Sequence, residues 1–132
     1  MKHSTNINAL IRHMNRASDF LRWLQDEGDA LIAAASLLGG ESWQKRARAV
    51  VVTARKGGNI AARRNALAAL HRLLHGGYAS LLEGQDAWLF STLHPDDPRA
   101  TSAMLCAEAL DRGLRALEAL RLAGITNFGE VA

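Results

Sequence analysis

Glycine falls in pairs at three places along this chain, Gly39-Gly40, Gly57-Gly58 and Gly76-Gly77, and Ala and Leu dominate the segments between them. Such a chain can build helices of about four turns between breaks. It has little with which to build a sheet, because β-branched residues are few and the conspicuous run is Val50-Val51-Val52. Glycine enters the left-handed conformation that ends a helix without steric penalty, so each pair reads as a C-cap and turn.

Start signals sit where this reading needs them. Asp29, Ser42 and Asn59 each follow a break and offer a side-chain oxygen to unpaired backbone N–H groups. Asp97-Pro98 is the strongest, an N-cap followed by proline at the first helical position. The expected helices span 5–27, 29–38, 42–56, 59–75, 78–93 (interrupted near Gly84) and 98–123. In the first, Ile7, Leu10, Ile11, Met14, Ala17, Leu21 and Leu24 recur at helical spacing and define a face to bury. In the third, Trp43, Ala47, Val50, Val51 and Ala54 do the same, which turns the Val run from a strand signal into a helical one. In the fourth, the buried face is Ile60, Leu67, Leu70, Leu73 and Leu74; in the last it is Ala103, Ala107, Leu110, Leu114, Leu117 and Leu120.

The fold expected is therefore all-α, a compact antiparallel bundle of five or six helices in one domain spanning 1–132. Gly124 ends the last helix and leaves 125–132 as a tail expected to be loose. The alternative is a short helical-hairpin repeat, since Ala30–Gly40 resembles Ala66–Gly77 at an offset of about 36 residues.

Charge is segregated along this chain. Between Glu41 and His75 lie eight Lys/Arg and one acid, whereas 76–132 carry four bases against eight acids. A basic middle could meet phosphates, and the candidate anion or nucleic-acid patch is Lys45, Arg48, Arg55, Arg64, His71 and His75. Arg64, His71 and His75 form a stripe along one flank of the fourth helix, where a guanidinium and two imidazoles could grip an anion. Against this, the segment has no aromatic to stack a base beyond Trp43, and Ile60-Ala61-Ala62 would read bases poorly. Arg63 falls among the leucines of the fourth helix, so it is expected to form a structural ion pair with Glu108, Asp111 or Glu118. That pairing would neutralise part of the basic middle internally.

Trp23 lies off the apolar face of the first helix, beside Arg16 and Asp19, and these three form the candidate partner interface. No constellation encodes a reaction: there is no Gly-x-Ser-x-Gly, phosphate loop, dinucleotide fingerprint or His-Glu-x-x-His. His71 and His75 have the spacing of two ligands on one helix, but no carboxylate lies in that helix, so no metal and no cofactor is implied. The single Cys106 reads as a small packed residue of a reducing compartment. With no signal-peptide pattern and no apolar run of membrane length, the expected location is the cytoplasm. The function expected is a non-enzymatic interaction protein: a small regulator, adaptor or chaperone-like module binding another protein or itself, with a homodimer favoured. A nucleic-acid-associated protein is the alternative, and a metal-binding or enzymatic bundle comes third.

Overall fold

Val50 and Val51 lie buried on a helix, packed among alanines and leucines. The computed structural model describes residues 6–75 and 97–130. Among these the regular structure is entirely helical, with no strand. Three α-helices pack together: α1 (Asn6–Arg55), α2 (Arg64–Leu74) and α3 (Pro98–Leu122), with a 3-10 turn over Ala61–Arg63 leading into α2. The expectation of five or six helices is corrected on this point. The segments expected as 5–27, 29–38 and 42–56 are joined in α1, and the breaks foreseen near 28 and 40 are present as kinks in it at non-helical residues, Glu27 (φ −112°, ψ 15°) and Gly40 (φ 79°, ψ −165°). The helix expected over 78–93, with Trp88, lies outside the described residues.

Gly40 does what its pair requires. Its dihedrals fall in a region open essentially to glycine alone, and there α1 folds back on itself. The segment 41–55 returns antiparallel to 28–39. Gln25 Nε2 donates to the Ala54 carbonyl at 3.0 Å, and Arg55 Nε donates to the Gln25 carbonyl at 3.1 Å. Among the described residues the Asp29 carboxylate accepts from no backbone N–H; it pairs instead with Arg55 at 3.2 Å. The Gly39-Gly40 hairpin thus lies inside the span of α1, at a kink. The second segment of the proposed repeat runs to Gly77, and its Gly76-Gly77 end lies outside the described residues.

Asp97 and Pro98 start α3 as their chemistry dictates: Asp97 Oδ1 accepts from Arg99 N at 2.8 Å. Its far end closes with Gly124 at φ 88°, where Gly124 N donates to Arg121 O and Ile125 N to Leu120 O. The chain beyond is tied back. Phe128 packs against both apolar clusters, its carbonyl accepts from Ala61 N at 3.2 Å, and Asn59 Nδ2 donates to the Thr126 carbonyl at 3.1 Å.

The core follows the periodicity closely on α2, where Ile60, just before it, and Leu67, Leu70, Leu73 and Leu74 are all buried. On α1 the fully buried positions begin at Ala17. Ile7 and Ile11 are 64% and 52% exposed and Met14 is exposed too, while Leu10 between them is partly buried against the Ala17, Ala116 and Leu120 cluster. Among the described residues no polar or charged residue is buried as a whole, although the His71 Nε2 atom is. No helix there is long and apolar enough to cross a membrane.

Candidate functional site

Helix α3 runs antiparallel to the first two segments of α1. Phe20 lies against Gly113, Ala17 clusters with Ala116 and Leu120, and Ala33 and Ala34 lie near Pro98 and Arg99. Antiparallel packing of this kind brings two rows of side chains alongside each other. On α1 the row is His13, Arg16, Asp19, Phe20 and Trp23; on α3 it is Ala109, Arg112, Arg115 and Ala116. Together they line an open groove of about 490 Å³. Two features of α3 make it. Gly113 admits the Phe20 ring against the helix backbone, and the small Ala109 and Ala116 leave room on either side.

The groove has an aromatic wall and a cationic rim. Phe20 and Trp23 stack with centroids 6.1 Å apart and planes 13° from parallel. Trp23 is half-buried, its ring packed against the main core cluster. Arg115 is held by Asp111 at 3.0 Å, whereas among the described residues Arg16 and Arg112 have no carboxylate partner. Asp19 is the one carboxylate among the lining residues. Trp23, Arg16 and Asp19, singled out along α1 from sequence, thus share one concave surface. Sequence reasoning missed the other half, because Arg112 and Arg115 join it only through long-range packing; locally each only follows an acid four residues earlier, Glu108 and Asp111.

The six residues of the candidate anion patch are not brought together in this way. Lys45 pairs with Glu41 at 3.2 Å and Arg55 with Asp29, while Arg48 is exposed on the same return segment. Arg64, His71 and His75 lie along α2, the first two facing α3: Arg64 pairs with Glu118 at 3.5 Å, and His71 Nε2 lies 3.8 Å from Asp111 Oδ1. Glu118 also accepts from Arg121 Nε at 2.9 Å, and that hydrogen bond holds its carboxyl below the usual range. A further basic feature was not foreseen: Arg46 sits over the Trp43 ring, 4.5 Å from its centroid, the i, i+3 reach of one helix turn.

Arg63 is corrected. It is exposed and donates from Nε to Thr53 Oγ1 at 3.1 Å, and among the described residues the pairing with α3 falls to Arg64 instead. The reason is local. Residues 61–63 form a 3-10 turn with three residues per turn, so a register counted at 3.6 misplaces Arg63 on the apolar stripe.

His71 stays neutral. Burial lowers its pKa below 6.5 and His75, whose ring centroid is 4.8 Å away, adds to that; Asp111 pulls the other way and is outweighed. The Asp111 contact is therefore not an ion pair at neutral pH, and His71 Nε2 is buried without a hydrogen-bond partner among the described residues. No group of three or more His, Cys, Asp and Glu among those residues is arranged to hold a metal ion. Cys106 is buried on α3, and burial pushes its thiol up to about 11, which makes it a poor nucleophile. Comparison with protein-family models, with curated proteins and with solved structures finds no match for this chain.

Proposed function

We propose that this protein is a non-enzymatic interaction module, a regulator or adaptor of the cytoplasm, that takes a protein partner in the groove between α1 and α3. One observation carries the reading: a half-buried Trp23 stacked on Phe20, flanked by Arg16 and Arg112, whose guanidiniums have no carboxylate partner among the described residues. Tryptophan and arginine at the centre of a concave patch are the residue types on which binding energy concentrates. Nucleic-acid association through the basic middle draws less support, because Lys45, Arg55 and Arg64 each already face a carboxylate. Charges neutralised in this way release fewer counterions from a phosphate backbone.

Self-association is the second reading, and the exposed run Ile7, Ile11 and Met14 favours it. These residues repeat at four- and three-residue steps, the spacing of a short helix–helix seam. Sedimentation over a wide concentration range separates the two readings, since a partner module with an empty groove stays monomeric.

The test of the main reading is selection of binders from a random peptide display library on the full chain. Titrations follow in a Trp43→Phe/Trp88→Phe background, where Trp23 is the remaining tryptophan. Binders are expected to shift Trp23 emission and to lose roughly tenfold or more in affinity on Trp23→Ala. Selection that yields no binder, or only binders indifferent to both measurements, rejects the reading.

A further inference from the structure

The groove is graded from one end to the other, and the grading specifies what fits. Phe20 against Gly113 and Ala17 against Ala116 fix the antiparallel register of α1 on α3. That register sets Arg16 level with Arg115 and Ala116, Phe20 level with Arg112 and Gly113, and Trp23 level with Ala109. The end at His13 and Arg16 is therefore cationic, with guanidiniums from both helices. The end at Trp23 is apolar, a stacked aromatic pair facing the methyl of Ala109. Arg16 and Trp23 stand seven residues apart, a rise of roughly 10 Å or two helical turns.

Resting on the reading of the groove as a protein-binding site, we propose that its partner is an acidic amphipathic helix. Such a helix carries carboxylates about one and about two turns from one large aromatic or aliphatic side chain. The large side chain lies on the Phe20–Trp23 wall above Ala109; one carboxylate meets Arg112 at the Phe20 level, about one turn along the groove, and another meets Arg16, about two turns along. Guanidinium and carboxylate match in the two-point geometry that makes such pairs strong and directional. The channel between two antiparallel helices is itself shaped to receive a third, with contacts at i, i+3 or i+4, and i+7. Asp19 adds a polarity: it lies between the two ends and disfavours a carboxylate on the partner at that level. A partner of uniform negative charge fits worse than a graded one. That argues against a nucleic-acid strand, whose phosphates repeat without a gap and would meet Asp19 and the Asp111 carboxylate beside Arg115.

The experiment is the sequence analysis of groove-dependent peptides selected from the random library, followed by affinity measurement at two salt concentrations. Wild type is compared with Arg16→Gln/Arg112→Gln, both exposed positions whose change is checked by circular dichroism to leave the helices intact. Enrichment of Asp or Glu about one and two turns from Phe, Trp or Leu, with roughly tenfold weaker binding to the double variant and weaker binding at high salt, is the expected result. Groove-dependent peptides that are neutral or basic, and equally well bound by the double variant, overturn the acidic partner while leaving the binding groove in place. Absence of any groove-dependent peptide removes the groove reading itself. A single-stranded oligonucleotide that binds wild type more tightly than the selected peptides, and is lost in the double variant, replaces the acidic helix by nucleic acid.

Discussion

Phe20 rests on Gly113: a Cβ placed at position 113 would come within 2.3 Å of the Phe20 ring. The contact lies between α1 and α3, and it sets both their separation and the depth of the groove beside it. Gly113→Ala therefore opposes two effects. Alanine in a helix interior is favoured over glycine by about 1 kcal/mol on propensity. Overpacking of a close contact costs about 1–3 kcal/mol. Net destabilisation is expected, read as a lower midpoint in chemical denaturation, and Phe20→Leu in the same chain should recover part of it. A Gly113→Ala protein as stable as wild type, or more so, would mean that Phe20 can leave its place freely.

Arg63 and Arg64 are adjacent in sequence and differ in role. Arg63→Ala removes an exposed hydrogen bond to Thr53 and should change stability by about 0.5 kcal/mol or less, the range of ordinary surface substitutions. Arg64→Ala frees Glu118 from one of its two arginines, so its carboxyl, now held down chiefly by Arg121, should titrate at slightly higher pH in a carboxyl-observed NMR titration. A large stability loss on Arg63→Ala would restore the buried pair that the leucine pattern suggested.

The difference between those two arginines shows where the sequence was legible and where it was not. Helical periodicity identified Ile60, Leu67, Leu70, Leu73 and Leu74 because α2 packs on one face along its whole length. It misplaced Arg63, because one 3-10 turn rotates the register by an amount no residue type announces. It also placed Ile7, Ile11 and Met14 in the core. Periodicity reports that a face is apolar and says nothing of whether another element reaches it. The Gly39-Gly40 pair located a change of direction correctly, at a non-helical residue inside α1, while the described residues support three helices packed together and not the five or six expected. Half of the candidate groove was visible as Trp23, Arg16 and Asp19. The other half depends on the α1–α3 register, which joins residues about a hundred positions apart and leaves no local trace.

His71 gives stability a defined pH dependence. Its folded-state pKa lies below 6.5, so the native chain holds the neutral ring. Between that folded value and 6.5 the unfolded chain binds more protons than the native one, so stability falls as pH drops through this window and levels off below it. The groups facing the ring are His75 and Arg72 on its own helix and Asp111 and Arg115 on α3. His71→Gln removes this contribution. In denaturation series from pH 8 to pH 5, the stability advantage of wild type over the variant should shrink as pH falls. An advantage that grows toward pH 5 would mean that His71 charges and pairs with Asp111.

The most direct test of the central claim is a map of amide chemical-shift changes as a selected peptide is titrated into the full-length protein. The binding-groove account predicts changes concentrated at residues 13–23 and 109–116, on both helices at once. Changes concentrated along 45–55 and 64–75 would contradict it and locate binding on the basic middle instead.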